Sequence, residues 1–96
     1  MNKEPVVYIL ASHNKQVLYV GVTSQLVTRI WQHKNNIVRG FTQKYQVHSL
    51  VYYERFDSMT TAIKREKQLK KWRRSWKEQL IKDNNPQWLD LYDSLL

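Results

Sequence analysis

Two short runs of β-branched and aromatic residues, 6–11 (VVYILA) and 17–22 (VLYVGV), are separated by the polar, turn-prone SHNKQ. This pattern predicts two strands joined as an antiparallel hairpin through a loop of about four or five residues. Thr23 or Ser24 can cap a helix running to about residue 34, with Leu26, Val27, Ile30 and Trp31 on its buried side. Asn35 and Asn36 stop it, and residues from about 37 to 46, with Gly40 among them, read as a loop or a short irregular helix. The run 48–56 (HSLVYYERF) predicts a third strand. Asp57 or Ser58 then caps the longest helix, which continues to about residue 81 and ends at Asn84-Asn85-Pro86. Pro86 followed by WLDLYDSLL predicts a short amphipathic helix over about 86–96, packed on the core. The order β-β-α-β-α-α predicts an α/β fold of the α+β kind, with a three-stranded, mostly antiparallel sheet flanked by helices. All 96 residues are expected to form one domain.

Composition narrows the class. The chain has no Cys, which excludes a disulfide scaffold, a thiolate metal site and a cysteine nucleophile. No apolar run approaches the roughly 20 residues that span a bilayer, and the first residues lack the apolar core and cleavage site of a secretory signal. A cytoplasmic location is expected. The informative quantity is charge: 16 Lys and Arg against 8 Asp and Glu give a net +8. Most of the excess sits between residues 64 and 82, where nine cations face only Glu66 and Glu78, interleaved with Trp72 and Trp76. Such a segment fits a polyanionic partner, nucleic acid first, with Lys67, Lys70, Lys71, Arg73 and Arg74 as phosphate contacts. The plainer alternative is a solvated helix face.

One residue breaks the pattern of the longest helix. Met59, Ile63, Leu69, Arg73, Trp76 and Leu80 recur at helical steps, and Glu66 falls inside that stripe. An acid on an apolar face is costly unless it is paired or binds a metal. It can pair with Lys70 one turn on, or it can hold Mg²⁺, which takes few protein oxygens and keeps its waters. Arg29 and His33 share one face of the first helix, and Tyr8 and Tyr19 can be cross-strand neighbours. Taken singly, such tyrosines are core residues and such an arginine a surface residue.

As a set these residues are recognisable. The second strand carries YVG (Tyr19-Val20-Gly21), the first carries VVY (Val6-Val7-Tyr8), TSQLVTRIWQH carries the helix Arg, and TTAIKREKQLKKW carries the acid. The chain resembles the GIY-YIG endonuclease superfamily over about residues 5–81, and most of all its small single-domain bacterial members, whose long helix also reads REKQLKKWRR. The resemblance implies a three-stranded antiparallel sheet and hydrolysis of a DNA phosphodiester with one divalent metal, Mg²⁺ or Mn²⁺, in DNA repair or recombination. It matches Tyr8 and Tyr19 to the motif tyrosines, Gly21 to the motif glycine, Arg29 to a phosphate-contacting arginine and Glu66 to the metal-binding glutamate. His33 stands where the family has His or Tyr. Two positions depart from the pattern: Val6 replaces the first motif glycine, and Val22 stands where the domain of the excision-repair incision subunit has a lysine. Tyr8, Tyr19 and His33 all stay open as the group that takes the proton of the attacking water. The rival expectation is a basic nucleic-acid-binding module on the same fold, without catalysis. A third would use Trp88, Leu89, Leu91 and Tyr92 as a docking face.

Overall fold

A computed structural model describes residues 4–37 and 40–96. Val38 and Arg39, within the predicted loop, lie outside the described residues. Three strands, β1 (Val6–Ser12), β2 (Leu18–Thr23) and β3 (Val47–Arg55), form an antiparallel sheet in the order β2-β1-β3. All seven residues of β1 are buried, because the central strand is covered on both faces. Its side chains divide by the two-residue period of a strand. Val7, Ile9 and Ala11 join Val20, Val51, Ala62, Leu69 and Ile81 in one core. Val6, Tyr8 and Leu10 join Leu26, Ile30, Val47 and Leu50 in the other. The α+β architecture expected from the sequence is the one observed. Among the described residues no helix is long and apolar enough to cross a membrane.

Helix α1 (Leu26–Lys34) covers the second core, and the four-residue α2 (Phe41–Lys44) follows it. The buried residues of α1 are Leu26, Ile30 and His33, while Val27 and Trp31, expected inside, are exposed. An imidazole with both nitrogens hydrogen-bonded takes the inward position.

The predicted long helix is two helices. α3 (Met59–Lys71) opens on Ser58, whose hydroxyl accepts from the Thr61 N–H, and α4 (Arg74–Asn84) follows an extended Trp72-Arg73. Leu69 and Ile81 both lie in the first core. In one unbroken helix they would differ by about 120° around the axis, so the break turns Ile81 inward and exposes Trp76. Ile63 also stays outside; the true inward stripe of α3 is Met59, Ala62, Glu66 and Leu69.

The C-terminal segment is not the predicted helix. Beyond Asn85 it runs irregularly, with only a single 3-10 turn at Asp93–Leu95. It is held by backbone groups of β3: the Leu91 N–H donates to the Leu50 carbonyl at 2.8 Å, and the Leu50 N–H donates to Asp90 at 3.1 Å. The buried Asn85 amide donates to the carbonyls of Val51 and Leu89. Covering an open strand edge in this way satisfies peptide groups that a helix would have kept to itself. Leu91, Tyr92 and Leu95 still close the second core, as expected of the segment.

Candidate active site

The site is built on the α1 side of the sheet. Tyr8 lies near the middle of β1, 1% exposed, and its hydroxyl sits 3.1 Å from His33 Nε2. His33, also 1% exposed, meets the Thr42 hydroxyl of α2 with its other nitrogen, Nδ1, at 2.9 Å. Three elements therefore supply one buried chain of polar groups. Thr42 had no signal in the sequence, since it lies in the segment read as irregular and meets His33 only through the fold.

Gly21 is directly opposite Tyr8 in the strand register. A Cβ there would stand 2.4 Å from both Cζ and the hydroxyl oxygen of Tyr8, so the phenol occupies the space a side chain would need. Tyr19 pairs with Leu10 and is thus a diagonal neighbour of Tyr8 on the same face. Its ring centroid is 6.4 Å from that of Tyr8 and 5.6 Å from that of His33. Arg29, one turn before His33, is half-buried, with Gln32 Oε1 3.4 Å from its Nη1.

Burial pushes the Tyr8 phenol up to about 12; the nearby Arg29 guanidinium opposes this, and the charges of Tyr19 and Glu66 add to it. Burial, then Arg29 and His48, hold the His33 imidazole down to about 4. Both groups are neutral at pH 7, and the phenol on its own is a poor base. A proton taken up by Tyr8 has a route onward through His33 Nε2.

Glu66 stands on α3, and its charge is the smallest of the influences that raise the Tyr8 phenol. Its side chain is 15% exposed, and its ion-pair partner is Lys70, with Nζ at 3.4 Å. A second carboxylate beside α3, Glu54, is engaged by Arg65 and by the Tyr52 hydroxyl. Among the described residues no three His, Asp or Glu side chains cluster as metal ligands. A single hard carboxylate oxygen fits Mg²⁺ or Mn²⁺ carrying most of its own waters, and does not fit a closed zinc site.

The basic segment is less uniform than its sequence. Lys67 and Lys71 are exposed, and Lys70 is paired with Glu66. Arg73 lies 5.4 Å over the Trp76 ring. Arg74 donates to the carbonyls of Lys15 and Gln16 and so ties α4 to the β1–β2 loop.

Sequence and fold comparisons agree with this architecture. The profile of the GIY-YIG catalytic domain matches residues 4–79. A UPF0213 protein of Natronomonas pharaonis is 32% identical over 83 residues, covering 86% of this chain and 96% of its own. A UPF0213 protein of Syntrophus aciditrophicus is 38% identical over 79 residues, covering 81% and 90%. The solution structure of a UPF0213 protein from Bacillus halodurans superposes with a TM-score of 0.58 at 26% identity, over 91% of this chain and 92% of that one.

Proposed function

The chain belongs to the GIY-YIG catalytic domain family, a nuclease family, and from that premise we propose that it is a divalent-metal-dependent DNA endonuclease acting as one domain in the cytoplasm, in repair or recombination. The observation that carries this reading is the buried Tyr8–His33–Thr42 chain with Arg29 and Glu66 beside it. A core tyrosine needs one hydrogen-bond partner; a tyrosine wired to a neutral histidine also has somewhere to send a proton.

In the proposed mechanism Arg29 binds a non-bridging phosphate oxygen and counters the charge that builds there. The Tyr8 hydroxyl takes the proton of the attacking water as its own proton passes to His33 Nε2, while Thr42 accepts from the Nδ1–H. Arg29 is among the groups that hold the His33 proton affinity down. A bound phosphate neutralises that cation, so the substrate itself raises the affinity of the relay. Tyr19, against both rings, orients the water. Glu66 would hold the divalent ion, which when bound polarises a phosphate oxygen and stabilises the leaving 3′ oxygen. Exposed Lys67 and Lys71 contact the flanking backbone phosphates.

A second reading, the non-catalytic binding module, takes its support from the Glu66–Lys70 pair, which gives the carboxylate a use without metal. A cleavage panel of plain, nicked, flapped and branched DNA separates the two, run with Mg²⁺, Mn²⁺ or EDTA. The expected outcome is cutting only with metal, lowered at least about 100-fold in Glu66→Gln, whose DNA binding in EDTA stays near native. Salt-sensitive binding without any cutting would establish the module instead.

A further inference from the structure

The proton chain uses Thr42 but not the two aromatic side chains that flank it. Thr42 anchors α2 inward through His33. Phe41 and Tyr45 stand one helical turn apart, joined by a Tyr45 N–H to Phe41 carbonyl bond of 3.0 Å, so their side chains are neighbours on the turn. They remain 47% and 45% exposed, and neither belongs to either core. Their rings are 4.8 Å apart, and Phe41 lies 6.0 Å from Tyr19. The aromatic series Tyr8, Tyr19, Phe41, Tyr45 thus runs from the buried proton chain out to solvent. Lys44 adds a cation at its outer end, with Nζ 5.4 Å from the Tyr45 ring.

We propose that Phe41 and Tyr45 form a stacking subsite for an unpaired nucleobase beside the phosphate bound at Arg29, which makes a single-stranded or frayed DNA segment the preferred substrate. The proposal rests on the nuclease reading and names its substrate class. Exposed aromatic faces next to a lysine are what proteins use to hold a strand without reading its sequence. A base inside a duplex is already stacked on both sides and has no free face to offer. An unpaired base takes the open face, and Lys44 neutralises the neighbouring phosphate.

The test measures binding of the full chain, in EDTA, to a fluorescein-labelled thymidine oligonucleotide of about 12 residues. A strand of the same length that is abasic at every position, and the matching duplex, complete the probe set. Phe41→Leu is expected to weaken binding of the intact strand about tenfold, and Phe41→Trp to keep it. The fully abasic strand should bind the native chain more weakly by the same degree, with no further loss when it is combined with Phe41→Leu. Thermal melting of each variant checks that the fold is kept. Equal losses on intact and abasic strands, duplex binding as tight as single-strand binding, or no single-strand binding would each overturn the subsite. Because metal is absent, failure here leaves metal-dependent cleavage untouched. A working subsite in a chain that never cuts would overturn the nuclease reading alone.

Discussion

On the α3 and α4 side of the sheet, Val7, Ile9 and Ala11 meet Ala62, Leu69 and Ile81, and the Tyr52 hydroxyl there reaches Glu54. On the α1 side, Val6, Tyr8 and Leu10 meet Leu26 and Ile30 beside a phenol, an imidazole and a threonine hydroxyl. Both sides are buried, and among the described residues no buried side-chain polar atom lacks a partner. Both sides are held by dispersion and exclusion of water, and the α1 side adds buried polar groups that must find each other or cost more than they contribute. The lesson lies in where the versatility goes: the α3 and α4 side supplies most of the apolar contact and keeps its charged groups, Glu54, Arg65 and Glu66, paired, while the α1 side buries a chain of neutral polar groups.

Removing atoms from the apolar face should give the largest effect on stability. Leu69, fully buried, changed to Ala should cost about 2–5 kcal/mol in urea unfolding, with cleavage per folded molecule unchanged. A loss of cleavage with little loss of stability would mean that α3 serves the site more than the core.

Acid should act on the polar face. His33 ordinarily titrates at 6.5 and is held near 4 in the fold. Between these values the unfolded chain binds a proton that the folded chain rejects, so this stability is fully present above 6.5 and is lost as pH falls towards 4. The loss should reach about 3 kcal/mol. Urea midpoints across that window should fall for the native chain and stay much flatter in His33→Gln, which keeps His48, also held below the ordinary imidazole value by burial and Lys34.

Gly21→Ala tests the junction of the two strands. Its Cβ would meet the Tyr8 phenol at 2.4 Å, costing about 1–3 kcal/mol and displacing the hydroxyl from His33. Cleavage should fall more steeply than stability does. Retained cleavage would show that the Tyr8–His33 bond is structural.

The smallest effect is expected from Thr42→Val, which keeps the shape of the buried side chain and leaves His33 Nδ1 without its partner. It should cost about 1 kcal/mol. In the proposed relay it should also shift the pH profile of cleavage, a change that a purely structural threonine would not produce.

The strand pattern, the cap at Ser58, the basic charge and the out-of-place acid were all legible in the sequence, because each depends on neighbours within a few positions. Strand alternation put Tyr8 on one face, and helical spacing put Arg29 and His33 on another element's shared face. What no local rule contains is which faces meet. The break at Trp72-Arg73 exists because Leu69 and Ile81 must enter the same core, a demand of the sheet and not of the helix. The tail stays irregular because free peptide groups of β3 bind it. Trp31, an inward residue by periodicity, yields to His33 because Tyr8 and Thr42 wait there to satisfy both imidazole nitrogens. The sequence by itself determined the elements, the charge and the chemical groups the chain could use. Only the tertiary structure decided which of those groups share a buried chain of hydrogen bonds, because burial and partner geometry are set by residues distant along the chain.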